Sequence, residues 1–292
     1  MLKKPTPPIL ISGLPVVSAQ EVQTRIALLL WGESSCGKTT YAATAPGVKL
    51  WLNLDPEGKN SIIHRSDVLV LELDGLHIDE LFNKLQNDNP LELDQFLSAH
   101  PEVETVVLDS ATALSFRALQ KTVRDQVGAS RGFSPTIEAP GISAYGGRNN
   151  VVLTCLTGLL KVTARHNCHC IITTHEDDPR LNKDGEVETY NMVLGGKTVS
   201  GFTWRLSEVW YLSVGTDHKR RLAVWPTRKR KPMKSRMFNI NGDSREFVLD
   251  YDAQQPDEGQ PWTIADIYNR WEKGGGKKLE VPTNARSART LK

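Results

Sequence analysis

The segment of this chain with the clearest potential chemistry is a glycine-rich stretch that ends in a lysine and two threonines. Its residues are Gly32, Glu33, Ser34, Ser35, Cys36, Gly37, Lys38, Thr39 and Thr40. This spacing fits G-x-x-x-x-G-K-[ST], the loop whose backbone N–H groups cradle the phosphates of a nucleoside triphosphate. The motif predicts an ATP site in which Lys38 reaches the β- and γ-phosphates and the Thr39 hydroxyl binds Mg²⁺.

The residues around this loop supply the strand, loop and helix that the motif requires. Residues 26–31 form an apolar run that predicts a buried strand, and the segment from Thr39 onward predicts the first turns of a helix. The amino end of that helix would present its positive dipole end to phosphate. A chance glycine-rich turn is therefore the less favoured interpretation.

A second apolar strand ends in an acidic residue that could hold the metal. Asp109 and Ser110 follow the Thr-Val-Val-Leu run of residues 105–108. An aspartate alone at a strand end is commonly a helix cap, but after a phosphate loop it indicates a role in the Mg²⁺ shell. We expect Asp109 to share the metal with Thr39, and Ser110 to support the same water network.

ATP hydrolysis also needs a group that orients or deprotonates water. Glu57 is our candidate base and Asp55 is the second candidate, since both follow a strand predicted over residues 48–54. Both are also common turn residues before proline and glycine. His175 follows another buried strand, residues 168–174, and would contact the γ-phosphate as a sensor unless it is only structural.

A group of histidines and cysteines raises the question of zinc. Its members are His166, Cys168, His169 and Cys170. Their spacing fits no standard Cys-x₂-Cys pattern, and alternate residues of a strand face opposite ways. We therefore predict no zinc site, and Cys36 is interpreted as a tolerated small residue of the phosphate loop.

Composition indicates an ordinary globular protein. The chain has 292 residues, a net charge of +2, 39% hydrophobic residues and four cysteines. It contains no apolar run long enough to span a membrane, and so few cysteines favour a reduced, cytoplasmic compartment. Lysine and arginine are concentrated in residues 219–236, which could bind phosphates or could form a solvated hairpin face.

Apolar runs alternate with helical patterns, which predicts an α/β fold with a mainly parallel sheet covered by helices on both faces. The predicted strands are residues 26–31, 48–54, 68–73, 103–108, 168–174 and 208–214. The predicted helices are residues 78–99 with a break near Pro90, 111–127, 151–166 and 262–271. Residues 221–225, 237–240 and 247–249 predict an antiparallel edge, and residues 128–150 a long loop.

We expect three parts along the chain: an irregular arm over residues 1–24, an ATPase domain over residues 25–272, and a disordered basic tail over residues 273–292.

Several of these segments resemble RecA-type recombinases. The phosphate loop matches theirs with one departure, residues 53–58 are similar to the strand whose acid activates water, and residues 106–114 to their magnesium strand. The Thr-His-Glu sequence of residues 174–176 and the Glu-Val-Trp-Tyr sequence of residues 208–211 resemble phage RecA-like ATPases of the single-strand annealing type more closely. The resemblance implies a RecA-like P-loop NTPase core with a twisted sheet. His175 stands where RecA has glutamine, so RecA-type strand exchange is not implied.

The resemblance also implies partners. Two loops would bind single-stranded DNA, the first with Arg131, Tyr145 and Arg148, the second over residues 177–200 with Lys197. A basic segment over residues 227–232 would offer Arg228 or Arg230 to ATP on a neighbouring protomer of a ring or filament. A single-strand-binding protein is a further possible partner, and the setting would be the cytoplasm, that of a bacterial host if phage-encoded.

The leading hypothesis is an ATPase stimulated by single-stranded DNA that promotes annealing or recombination. Two other functions remain open: a phosphotransferase acting on a small molecule, and an ATP-bound scaffold in phage replication or packaging.

Overall fold

A computed structural model describes the backbone of residues 9–11 and 14–16, and residues 24–127, 136–194, 196–239, 245–249 and 260–282. The strands are β1 (Ile9–Ile11), β2 (Leu14–Val16), β3 (Ala27–Gly32), β4 (Val48–Asn53), β5 (Val68–Glu72), β6 (Val103–Asp109), β7 (His169–Leu181), β8 (Val187–Met192), β9 (Glu208–Val214), β10 (Arg220–Ala223), β11 (Phe238–Asn239), β12 (Glu246–Val248) and β13 (Leu279–Glu280). The helices are α1 (Lys38–Ala42), α2 (Ile78–Leu85), α3 (Leu93–Ala99), α4 (Ala111–Val127), α5 (Gly141–Arg165), α6 (Gly196–Thr203) and α7 (Ile264–Lys273). Short 3₁₀ helices cover Gly58–Ser61 and Pro90–Glu92. Among the described residues, no helix is long and apolar enough to cross a membrane.

The central sheet has the strand order β12-β10-β9-β3-β7-β6-β4-β5. The six strands from β9 to β5 pair in parallel, whereas β10 and β12 add an antiparallel edge. This confirms the predicted α/β class, the mainly parallel sheet and the antiparallel edge. Because parallel strands all end at one edge, the loops that follow β3, β4, β6 and β7 come together there.

Both faces of the sheet are covered except at the edge strand β5, which explains why the inner strands are almost continuously apolar. On β3, Leu29 and Trp31 pack into a core with α2, α3, α4 and α5. Leu28 and Leu30 point to the opposite face, into a second core with α1 and α7. The period-2 alternation of strand side chains separates the two cores.

The predicted long loop over residues 128–150 is wrong in part, because residues 141–150 are the first turns of α5. One of the glycines that suggested a loop, Gly147, serves close helix packing instead. A Cβ on Gly147 would lie 2.3 Å from the Thr122 methyl carbon of α4. Residues 128–135 lie outside the described part of the chain.

The second predicted loop, residues 177–200, is also largely regular structure. Strand β7 runs on past its predicted end and forms an antiparallel hairpin with β8, and α6 follows. The Asn182 side chain accepts hydrogen bonds from the backbone N–H groups of Asp184 and Glu186, at 2.9 and 2.8 Å. Gly185 takes a φ of +80° in the same turn. An Asx turn followed by a left-handed glycine is a strong hairpin former, and it outweighs the polarity of the strands.

Both chain ends differ from the predictions. Residues 9–16 of the predicted irregular arm include a β1–β2 hairpin. Strand β11 pairs in parallel with β13 instead of extending the antiparallel edge. The predicted disorder is wrong for residues 273–282, because Val281 is only 2% exposed and belongs to the core with α7; residues 283–292 lie outside the described part.

Candidate active site

The glycine-rich loop leaves the sheet at the end of β3, between β9 and β7, and both of its glycines are required by the geometry. A Cβ on Gly32 would lie 2.0 Å from the Leu212 carbonyl oxygen of β9. Gly37 has a φ of +95°, in the left-handed region that favours glycine. The exposed tip between them consists of Glu33, Ser34 and Ser35, while Cys36 is buried and Thr40 lies half-buried on α1. Helix α1 is short and ends at Ala42.

Lys38 lies inside the loop with its ammonium group held by backbone oxygens. Its Nζ donates to the carbonyl oxygens of Gly32 at 3.0 Å and Glu33 at 2.6 Å. Only 6% of the residue is exposed, and burial lowers the pKa of Lys38. Electrostatic interactions with Cys36 and Asp109 act in the opposite direction. The loop therefore holds the Lys38 ammonium group in a fixed position at the carboxyl edge of the sheet.

Thr39 and Asp109 meet directly, although 70 residues separate them in sequence. The Thr39 hydroxyl donates to Asp109 Oδ2 at 2.9 Å, and the Thr173 hydroxyl donates to Oδ1. Burial raises the pKa of Asp109, while the hydroxyls of Thr173 and Thr39 act to lower it. A hydroxyl and a carboxylate side by side offer the hard oxygen ligands that Mg²⁺ prefers, so this pair fits the predicted metal. The peptide bond from Asp109 to Ser110 is cis.

His175 lies beside the loop because it pairs in the sheet with Gly32. Its backbone N–H donates to the Thr112 hydroxyl at 2.8 Å, and that hydroxyl is hydrogen-bonded to Thr174 at 3.1 Å. Burial lowers the pKa of His175, and the nearby charge of Lys38 lowers it further. The imidazole is therefore neutral at pH 7 and can accept or donate one hydrogen bond without adding charge.

The two candidate bases have different surroundings. Glu57 is exposed, and its carboxylate accepts a hydrogen bond from the Asn60 amide at 2.8 Å. Asp55 is half-buried and lies closer to Asp109, since a Cβ on Gly58 would be 3.3 Å from both the Asp109 Oδ2 atom and the Asp55 Cβ. After burial and the opposing effect of the two hydroxyls, the charge of Asp55 is a further cause of the raised pKa of Asp109.

Sequence reasoning missed a cation that touches the loop. Arg220, on β10, donates from Nε to the Cys36 carbonyl oxygen at 3.2 Å. A Cβ on Gly37 would lie 2.6 Å from the same nitrogen, so the guanidinium rests on the loop backbone. The only sequence signal was the basic character of residues 219–236, which does not distinguish one arginine from another.

A second missed group surrounds Glu176. Burial raises the pKa of Glu176, and its hydrogen bond with Tyr211 acts in the opposite direction. Tyr211 packs edge-on against Trp31 of β3, with ring centroids 4.6 Å apart. The Arg230 guanidinium covers the Tyr211 ring at 4.0 Å. This arrangement brings a carboxylate, a phenol and an arginine to the side of Lys38.

The position of Arg230 argues against a role on a neighbouring protomer. Besides Tyr211 it covers the Tyr190 ring at 5.2 Å, and its Nη1 atom lies 3.1 Å from the Glu246 carboxylate. This guanidinium would have to leave two aromatic rings and a carboxylate of its own chain in order to reach a neighbouring protomer. Arg228, in contrast, is exposed and forms no side-chain hydrogen bond or ion pair within the described part of the chain.

Two of the four predicted DNA-binding residues lie together. Tyr145 and Arg148 are in the first turns of α5, with the guanidinium carbon 5.2 Å from the ring centroid. Arg148 also donates to the Leu194 carbonyl oxygen at 3.4 Å, just before α6. Lys197 is part of α6 itself, and Arg131 lies outside the described residues.

The histidines and cysteines considered for zinc have separate partners. His166 contacts Asp94 at 2.8 Å, the Cys168 thiol donates to the Val103 carbonyl at 3.3 Å, and His169 accepts from a backbone N–H. Within the described ranges, no group of three or more His, Cys, Asp or Glu side chains could hold a metal ion.

Comparison with protein-family models gives a match over most of the described core. A family model described as an AAA domain matches residues 24–237. The matched range includes the glycine-rich loop, Asp109, His175 and Arg220. A search of curated proteins finds no match.

Proposed function

This chain belongs to the AAA-domain family, and from that premise we propose that it is an Mg²⁺-dependent ATPase that acts on single-stranded DNA. The family is of the P-loop type, which indicates nucleotide binding. One observation carries the ATPase proposal: the Thr39 hydroxyl and the Asp109 carboxylate meet at 2.9 Å beside a loop that only glycine can form.

The proposed roles follow from the surroundings of each residue. Backbone N–H groups of residues 33–39 and the Lys38 ammonium bind phosphate oxygens, while Thr39 and Asp109 hold the metal. Bound Mg²⁺ would neutralise charge that develops on the transferred phosphoryl group. Neutral His175 donates or accepts one hydrogen bond at the γ-phosphate position. These roles use groups that are fixed by the sheet, so little reorganisation is needed during reaction.

Glu57 remains our proposed general base. Its exposure and single amide contact leave the carboxylate free to take a proton from an attacking water. Asp55 is the alternative, but its closeness to Asp109 favours a contribution to the metal shell.

Tyr145 and Arg148 are proposed to bind the DNA, and the same role is kept for Arg131 and Lys197 on the strength of the sequence alone. Tyr145 is 44% exposed, so its ring is available for base stacking, and the arginine beside it supplies charge for a phosphate. The proposal includes assembly into a ring or filament, with Arg228 offered to a neighbouring ATP. Annealing or recombination in the bacterial cytoplasm, with a single-strand-binding protein as partner, is the setting that we propose.

The domain division is part of the same proposal. Residues 25–272 form the ATPase unit and residues 1–24 a separate arm. Residues 273–282 must be added to the unit, because β13 and Val281 pack on it.

The test is ATP hydrolysis by the full chain with and without a single-stranded oligonucleotide. Lys38→Ala and Asp109→Asn should each abolish turnover, and DNA should accelerate the wild type. Thr157→Ala, about three turns along α5 from Tyr145 and Arg148, serves as control and should leave turnover unchanged. Full activity of Lys38→Ala would refute the site. Turnover that responds to small-molecule acceptors but not to DNA would instead indicate the phosphotransferase.

A further inference from the structure

A tryptophan stands exposed between α6 and β9. Trp204 is 64% exposed, whereas the tryptophans of the central sheet, Trp31, Trp51 and Trp210, are fully buried. The neighbouring Arg205 places its guanidinium carbon 4.5 Å from the Trp204 ring centroid. An aromatic ring of this size is costly to leave in water, and a cation on one side leaves its other face available.

Two further cations converge on the same surface from a distant part of the sequence. An antiparallel bridge between Val209 and Lys234 brings residues 234–236 alongside β9. The Lys234 ammonium donates to the Trp204 carbonyl oxygen at 3.4 Å, and Arg236 is exposed next to it. Burial lowers the pKa of Lys234, and the charge of Arg236 lowers it further, as expected for two cations held close together.

We call these four residues the Trp204 patch: Trp204, Arg205, Lys234 and Arg236. Within the described part of the chain, no carboxylate lies at ion-pair distance from its three cations. Glu208 is nearby but is fully buried, and its carboxylate accepts hydrogen bonds from Trp210, Ser235 and the Arg236 backbone. The patch therefore presents net positive charge to solvent.

The patch lies at the opposite end of the strands from the glycine-rich loop. Glu208 begins β9 and pairs with Leu28, near the start of β3, whereas the loop begins at Gly32, where β3 ends. Arg205 and Arg236 also line a cavity of about 290 Å³ that extends to Arg25. A ligand on this surface would leave the proposed ATP site free.

We propose that the Trp204 patch is a second binding surface for single-stranded nucleic acid. A base stacks on the free face of Trp204, and the flanking phosphates contact Arg205, Lys234 and Arg236. An exposed aromatic ring among unpaired cations is the combination that sequence-tolerant single-strand binding uses, since every base has a π-face and every linkage carries a charge. This inference shares only the class of partner with the proposed function and concerns a different surface.

The experiment measures binding of a fluorescein-labelled oligothymidylate by the full-length protein without nucleotide. Trp204→Ala should weaken binding on the order of tenfold, the loss typical of one stacked base, while Trp204→Phe keeps most of the affinity. Arg205→Glu with Arg236→Glu should weaken it further and flatten the salt dependence. The matched control is Lys84→Glu with Lys161→Glu, which changes net charge equally on the exposed faces of α2 and α5.

Three results would overturn the inference. The first is wild-type affinity in Trp204→Ala, and the second is an equal loss in the control pair, which would indicate charge alone. The third is a change in oligomeric mass of Trp204→Ala with unchanged DNA affinity, which would make the patch a protein interface. Unchanged thermal unfolding of the variants excludes misfolding.

The outcome is independent of the ATPase proposal. Lys38→Ala should still bind the oligonucleotide through the patch, because the two sites lie at opposite ends of the sheet. If turnover is absent but Trp204→Ala weakens binding, the ATPase proposal fails and this inference stands. If turnover responds to DNA but Trp204→Ala binds the oligonucleotide normally, this inference fails and the ATPase proposal stands.

Discussion

The site residues that could be predicted from the sequence are those that belong to a local sequence motif. The glycines and Lys38 belong to one continuous motif, and Asp109 ends a recognisable apolar strand. Arg220 and Glu176 were missed because their significance depends on pairing of β9 and β10 beside β3, which no local pattern encodes. The same reason explains why Arg228 and Arg230, equivalent in sequence, differ in the structure.

Arg220 should matter for nucleotide affinity. Its Nε donates to the loop carbonyl of Cys36, so Arg220→Ala removes a hydrogen bond that orders the loop, a loss of roughly 1 kcal/mol or about fivefold in KM for ATP. Arg220→Lys keeps the charge but not the planar donor, and should recover part of the affinity. Arg221→Ala is the matched control, because Arg221 pairs with Asp217 instead. Equal KM values for the Arg220→Ala and Arg221→Ala variants would rule out a special role for Arg220.

Glu57 and Asp55 can be separated by kinetics. Glu57→Gln should lower kcat by about 100-fold or more, with little change in binding of an ATP analogue, because only proton transfer is lost. Asp55→Asn removes a negative charge beside Asp109, so it should raise the Mg²⁺ concentration needed for half-maximal turnover. Steady-state kinetics over a Mg²⁺ titration gives both values. If Asp55→Asn causes the large fall in kcat and Glu57→Gln does not, the base is Asp55.

At the level of elements, the buried strands were predictable and the connections were not. Five of the six parallel strands are nearly continuous apolar runs because both of their faces are covered, whereas the edge strand β5 is apolar but largely exposed. The start of α5 has the composition of a loop, since its glycines carry no apolar period, yet Gly147 allows α4 and α5 to approach each other closely. The β7–β8 hairpin was missed because its strands are exposed and polar, and only its turn contains a local signal.

The β11–β13 pair should contribute measurably to stability. Val281 is buried in the core with α7, and Asn239 donates to Glu280 across the pair at 3.0 Å. Val281→Ala should therefore reduce the free energy of unfolding by about 2 kcal/mol, through lost burial and the cavity left behind. Lys277→Ala, at an exposed position of the same segment, should change it by less than about 0.5 kcal/mol. Urea denaturation measures both. Equal stability of the two variants would mean that Val281 does not pack on the core, as the sequence-based prediction of a disordered tail implies.

At the scale of the whole molecule, the two ends of the parallel sheet have different chemistry. The carboxyl end carries the loop, Asp109 and His175, whereas the amino end carries two buried groups that titrate. His169 begins β7 and accepts a hydrogen bond from the Ile26 backbone N–H at 3.0 Å, and burial lowers its pKa to about 4. Glu208 begins β9, and burial raises its pKa to about 7. Both groups flank the start of β3.

These two shifts have opposite effects on stability. Between pH 6.5 and 4 the unfolded chain binds a proton at His169 that the folded chain does not, so this histidine makes stability fall as pH falls. Between pH 7 and 4.5 the folded chain binds a proton at Glu208 that the unfolded chain does not, so this carboxyl makes stability rise as pH falls. Each slope is about 1.4 kcal/mol per pH unit, and in the shared window they cancel.

Removing either group should therefore reveal the effect of the other on the pH dependence of stability. Relative to wild type, His169→Gln should gain stability as pH is lowered from 6.5 to 4.5, whereas Glu208→Gln should lose it, with each change on the order of 3 kcal/mol. The other titrating groups are present in all three proteins, so their contributions cancel when the free energies of unfolding are compared. His64→Gln and Glu186→Gln, at exposed positions, control for the substitutions themselves. Urea unfolding at several pH values gives the curves. Parallel curves for the wild type and both variants would mean that neither group is held in its neutral form by the fold, and the sheet's amino end would then be more hydrated than its packing indicates.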